Sequence, residues 1–172
     1  MYMMSRSLPA NWQAGISEIL ASSSPSNKVM FVGVGHRMRG DDYVGSFIAK
    51  TLIKRVRADR VAVFDAEDNI ESVISKIAKF NPPHVILIDA CELNARPGEI
   101  NLVPLAETDY PFFTTHGIPL KLLASKLLPN AEAWVLGVQP ERMELSESLS
   151  PAVFASASSI SDFIVNSLME GI

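Results

Sequence analysis

Two carboxylates and one imidazole in this 172-residue chain have the types and settings to do chemistry together. Asp42 lies in the turn GHRMRGDD, Asp89 closes the apolar run Val85–Ile88, and His116 sits in Thr114-Thr115-His116-Gly117. Two oxygen donors and one nitrogen donor suit a divalent transition metal better than calcium, which prefers oxygen alone. Three protein ligands also leave positions open for water or a substrate atom. Their spacing is no local metal motif, so only a fold can bring the three together.

The elements that must do so are legible from hydrophobic periodicity. Lys28–Val34 is a continuous apolar run ending in glycines, which reads as a buried strand. From Asp42 to Arg57 the apolar positions Val44, Phe47, Ile48, Leu52 and Ile53 mark one face of a helix. Lys54, Arg55 and Arg57 complement the dipole at its C-terminal end. Val61–Phe64 is a second strand, Asn69–Phe80 a second helix stopped by Asn-Pro-Pro, and Val85–Ile88 a third strand. A short strand at Glu99–Val103, an irregular loop over 104–117 and a helix over Ile118–Leu128 follow. A strand at Ala133–Val138 and a helix over Ala152–Met169 complete the order, with Ser150 as N-cap and Pro151 at the first helical position. Before all of these, Trp12, Ile16, Ile19 and Leu20 mark a short helix, and the Ser-rich stretch Ala21–Asn27 links it to the rest. The expectation is one domain over 1–172, with 1–27 a helix and linker packed on it. Apolar strands alternating with helices predict an α/β fold: a three-layer α/β/α sandwich around a mostly parallel twisted sheet of about five strands. Ligands gather beyond the C-terminal ends of such strands, where Asp42, Asp65, Asp89 and, by its loop, His116 are expected.

Composition narrows the partners. With 48% hydrophobic and 20% charged residues the balance is that of a globular protein rather than a disordered one. A net charge of −4 offers no basic face, so no nucleic acid is expected. No apolar run is long enough to suggest a membrane span, and the first twelve residues show no secretory h-region. Cys91 is the one cysteine, which fits a reducing cytoplasm and excludes a disulfide framework. A dinucleotide site is disfavoured: Gly33-Val34-Gly35 follows a strand, but Met38 stands where the third fingerprint glycine belongs, and Asp41 and Asp42 would repel a pyrophosphate. Neither H-E-x-x-H nor G-x-S-x-G occurs.

The stretch GVGHRMRGDDYVG resembles the G-x-G-N-x-L-x-x-D-[DE]-G-x-G opening of the nickel–iron hydrogenase maturation endopeptidases. Ile88-Asp89-Ala90 followed by Pro97-Gly98, the segment Thr115–Leu120, and Val135-Leu136-Gly137-Val138-Gln139-Pro140 are similar to the family's later motifs, in order, from about Val29 to Pro140. The similarity is greatest to the type serving the hydrogenase 3 system. The resemblance implies a phosphorylase/hydrolase-like fold and an endopeptidase that removes the C-terminal extension of a hydrogenase large-subunit precursor after nickel insertion. It implies nickel carried by that precursor as the recognition anchor, other divalent metals also fitting the donor set, and Asp42, Asp89 and His116 as the residues that touch it. His36 stands where the family has Asn and Tyr43 where it has Gly. His36 would add an imidazole or cap the turn; Tyr43 would narrow the groove or move its floor.

Other residues carry plainer expectations. Asp41 reads as an N-cap, with a secondary role in proton transfer. Asp65, Glu67 and Asp68 read as a solvated turn and helix cap, with Asp65 able to line a groove. His84 reads as surface, and Cys91 as a buried structural thiol rather than a nucleophile. Gly33 and Gly35 read as tight strand-to-helix packing. The competing functional classes are a Rossmann-like nucleotide- or metal-binding module without catalysis and an α/β hydrolase of small molecules.

Overall fold

The structure is a computed structural model that describes residues 11–22, 28–107, 129 and 131–171. Its five strands are β1 (Val29–Val34), β2 (Val61–Glu67), β3 (His84–Ala90), β4 (Ile100–Pro104) and β5 (Glu132–Val138). They form one sheet in the order β2-β1-β3-β5-β4. All pairings are parallel except β4 on β5, which is antiparallel at the edge. The described helices are α1 (Trp12–Ala21), α2 (Val44–Arg55), α3 (Ile74–Phe80) and α4 (Pro151–Glu170).

The sheet is apolar on both faces, and each face has its own core. Phe31, Ile86, Ile88 and Leu136 on one face pack with Ile16 of α1, Ile48 and Leu52 of α2, and Ile160 and Ile164 of α4. Met30, Val32, Leu87 and Val135 on the other pack with Ile70, Val73 and Ile77. Burial on both faces is why these strands read as continuous runs rather than alternating ones. The predicted three layers are therefore present, with α1, α2 and α4 on one side and α3 on the other. Helix α1 docks through Trp12, whose ring meets Phe163 of α4 edge-on at 5.2 Å.

Several boundaries differ for local reasons. The helix expected from Asp42 begins as a 3-10 turn over Gly40–Tyr43 and becomes α-helical only at Val44. The helix expected from Asn69 likewise opens as a 3-10 turn over Ile70–Val73. Periodicity does not separate the two helix types over one turn. The helix expected over 118–128 lies outside the described residues. Helix α4 corrects the reading that no segment suits a membrane span: at 20 residues it is long and apolar enough by length and composition. Val153, Ala157, Ile160, Ile164, Val165 and Leu168 spend that apolar character on the core.

Candidate active site

Helix α2 is pressed onto the sheet by glycines. A Cβ on Gly45 would stand 1.9 Å from the carbonyl oxygen of Ile88 and 2.3 Å from that of Val34, so no other residue lets the first turn of α2 come so close to the ends of β3 and β1. Gly35, at φ +148°, leaves its missing Cβ 1.9 Å from the Asp42 carbonyl oxygen. The packing role expected for Gly33 holds as well, since its Cβ would lie 2.1 Å from the Gly45 carbonyl. Because Gly33 pairs with Ile88 in the sheet, the turn after β1 and the end of β3 stand at one level. That brings Asp42, in the turn, and Asp89, at the end of β3, to the same C-terminal edge of the sheet.

Among the described residues the half-buried Asp42 accepts one hydrogen bond, from the backbone N–H of His36 to Oδ2 at 2.8 Å, which closes the GHRMRGD turn. Asp89 is partly buried, and its carboxyl is held well above the usual range. Burial is the chief cause, the negative charge of Asp42 adds to it, and the backbone N–H of Ala90 opposes both. Among the described residues neither carboxylate forms an ion pair. Nor does any group of three or more His, Cys, Asp or Glu side chains come together there to hold a metal. The two carboxylates do converge. His116 lies outside the described residues.

Asp41, the neighbour of Asp42, is not an N-cap: Arg39 holds that position before the 3-10 turn. It is fully buried and accepts four hydrogen bonds from the segment after β5. Ser150 N–H reaches Oδ1 at 2.7 Å, while Ser150 Oγ, Glu141 N–H and Arg142 N–H reach Oδ2 at 2.9, 2.9 and 3.0 Å. Burial alone would raise its pKa; the four donors outweigh burial and hold it below the usual carboxylate value. A carboxylate so saturated is a poor base. Ser150 is the N-cap of α4 by position, but its hydroxyl goes to Asp41 instead of a helical N–H.

The remaining expectations divide. His36 caps its own turn, with Nδ1 accepting from Met38 N–H at 3.1 Å, while Nε2 stands 3.9 Å from Asp68. Tyr43 meets Phe47 edge-on, and its hydroxyl accepts from Lys50 Nζ at 3.4 Å. Asp65 is not a solvated turn residue: it belongs to β2, accepts from Ser46 Oγ at 2.7 Å and pairs with Lys50 at 3.4 Å. Glu67 and Asp68 cap nothing, since the following 3-10 turn has Asn69 at its N-cap position with no side-chain bond. His84 is buried at the start of β3 with the Glu132 carboxylate 3.5 Å away, where a surface residue was expected. Cys91 is buried as expected; burial, then Asp89, pushes its thiol far above the ordinary value, and its Sγ fills the space a Gly137 Cβ would need. Burial and the nearby Asp89 both disfavour the thiolate that a nucleophile would need.

Sequence reading placed Gln139 in a motif similar to the family's late strand end but gave it no role; the structure buries it. Its Oε1 accepts from Leu93 N–H at 2.6 Å, and its Nε2 donates to Glu92 at 3.2 Å, so it fixes the loop beyond Asp89. Besides that motif, the signal in the sequence is a polar amide directly after the apolar end of β5.

Comparison with known proteins decides what this edge belongs to. Residues 47–167 match the family model described as hydrogenase maturation protease. The chain belongs to the hydrogenase maturation protease family. A curated relative, the hydrogenase 3 maturation protease of Escherichia coli, is 31% identical over 110 residues, covering 63% of this chain and 70% of its own. A Methanocaldococcus jannaschii protein named for the same activity is 26% identical over 152 residues, covering 83% of this chain and 87% of its own. The crystal structure of a nickel–iron hydrogenase maturation protease of Thermococcus kodakarensis superposes with a TM-score of 0.80 at 25% identity, over 90% of this chain and 99% of that one. As a maturation protease the chain is a peptidase that cuts the C-terminus of a hydrogenase large-subunit precursor, in a process the family ties to nickel. Membership decides against the non-catalytic binding module. Asp89 and His116 fall inside the matched residues, and Asp42 lies just before them.

Proposed function

We propose that Asp42, Asp89 and His116 are the side chains through which this maturation protease engages nickel held by its precursor. Supporting this reading is one observation above the rest: two converging carboxylates without a cationic partner among the described residues. Like charges at low dielectric repel, and a divalent cation reverses the sign of that interaction. The donor set, two oxygens and an imidazole, fits a transition metal. Nickel brought in by the substrate would anchor the scissile bond and supply Lewis acidity towards its carbonyl or a water.

The chain's own residues then have separate tasks. Asp42 presents its carboxylate from a turn closed by His36 N–H. Asp89 holds a proton more tightly than a free carboxyl and gives it up when a cation arrives, because a ligand must be deprotonated. His116 supplies the nitrogen. Dependence on this anchor makes a nickel-free precursor a poor substrate.

The test is the intact mass of a large-subunit precursor incubated with this protein, with and without nickel loaded. The expected result is nickel-dependent loss of a C-terminal peptide. Asp89→Ala and His116→Ala should each abolish that loss while circular dichroism stays that of the parent. Normal cleavage by either variant would sink the assignment.

A further inference from the structure

The geometry points to Asp41 as a positioning residue that ties the segment 141–150 to the turn carrying Asp42. This rests on the reading of Asp42 given above.

Asp41 and Asp42 are consecutive in one 3-10 turn, yet their carboxylates serve opposite sides of it. Asp41 turns inward and takes four donors from Glu141, Arg142 and Ser150. Asp42 reaches back to His36 N–H. The backbone doubles the attachment: Asp41 N–H donates to the Arg142 carbonyl at 3.0 Å, and Gly40 N–H to the Ser146 carbonyl at 2.9 Å. Ser146 N–H donates in turn to the Met38 carbonyl at 3.0 Å. The turn is thus held between the sheet, through the glycine contacts of α2, and the segment after β5, through Asp41. A buried carboxylate with four donors is expensive to replace, because each donor loses its partner at once. Ser150 strengthens the case: it forgoes the usual capping bond of α4 to serve Asp41.

The consequence is specific. The N–H of His36 reports where the Asp42 carboxylate stands, since that carboxylate is its acceptor. Single-residue amide hydrogen exchange of the full chain, followed by NMR, reads this without any turnover. In Asp41→Asn, exchange at Glu141, Arg142 and Ser150 should quicken about tenfold or more, as charged hydrogen bonds are lost. Exchange at His36 should quicken with them, while amides at the centre of β1 and β3 keep the parent rates. Ser150→Ala removes one of the four bonds and leaves the helix start otherwise intact; it should show the same pattern at smaller amplitude.

Three outcomes overturn the proposal. One is a protected His36 amide in both variants while 141–150 loosens. A second is quickening of the sheet amides in step with the rest in Ser150→Ala, which marks global destabilisation. The third is unchanged exchange at 141, 142 and 150. Cleavage kinetics separate this from the reading it rests on. If Asp42→Asn still cut the precursor, the catalytic assignment would fall while the exchange pattern continued to judge the clamp.

Discussion

Asp41 and Asp42 are neighbours in the chain with contrary fates. Four donors surround Asp41, which is fully buried and holds its charge firmly. Asp42 has one donor among the described residues, and its charge acts on another carboxyl, Asp89, at the edge of the sheet. A buried charge with its acceptors filled is structure, and removing it exposes the donors it served. Two neighbouring carboxyls of which one is buried disfavour each other's charge, and ionising both costs free energy unless a cation joins them. The number of donors around a carboxylate, rather than its burial, separates the two roles here.

The sharpest way to break this comparison is exchange at the two ends of it. Asp89→Asn should lose cleavage entirely, read by intact mass of the precursor, yet melt no lower than the parent because a neutral amide replaces a carboxyl whose charge burial already opposes. Asp41→Asn should keep part of its cleavage and lose about 2 kcal/mol of stability by chemical denaturation. Equal stability losses in both would erase the distinction.

Next in size is the contact that sets the pair side by side. Gly45→Ala places a methyl against the Ile88 carbonyl and should cost about 1–3 kcal/mol, with reduced cleavage as Asp42 shifts away from Asp89. A crystal structure of the variant would show α2 displaced. A smaller effect is expected in acid. Asp41 titrates below an unfolded carboxylate, so its contribution is present at neutral pH and is lost as pH falls through its folded value. Asp89 titrates above, so its cost grows as pH rises from the ordinary carboxylate range towards its folded value. Denaturation midpoints between pH 7 and pH 3 should fall less steeply in Asp41→Asn than in the parent. Smallest of all, Cys91→Ala should leave cleavage unchanged and cost about 1 kcal/mol or somewhat more through the cavity beside Gly137.

The strands and their parallel arrangement were legible because burial on both sheet faces writes continuous apolar runs, as in Val29–Val32 and Val85–Ile88. The placement of Asp42 and Asp89 at one sheet edge was legible because both follow the ends of apolar strands that the fold sets side by side. Asp41 was not, because its partners lie about a hundred residues away and nothing local distinguishes it from Asp42. His84 and Asp65 were misread for a related reason. Which polar residue is buried depends on who faces it, and Glu132 and Lys50 face these two only after the strands have paired. The 3-10 openings of two helices were missed because one turn of apolar spacing fits both helix types.

The bonds between Asp41 and Ser150 join positions 109 residues apart. A ribosome makes the Asp42 turn early, soon after β1, but the partners that fasten it emerge only once β5 and the segment behind it have been made. Contacts of such long sequence separation also form late, because a large loop must close before they give anything back. The turn that carries Asp42 therefore gains its fastening to 141–150 only after most of the chain has been made.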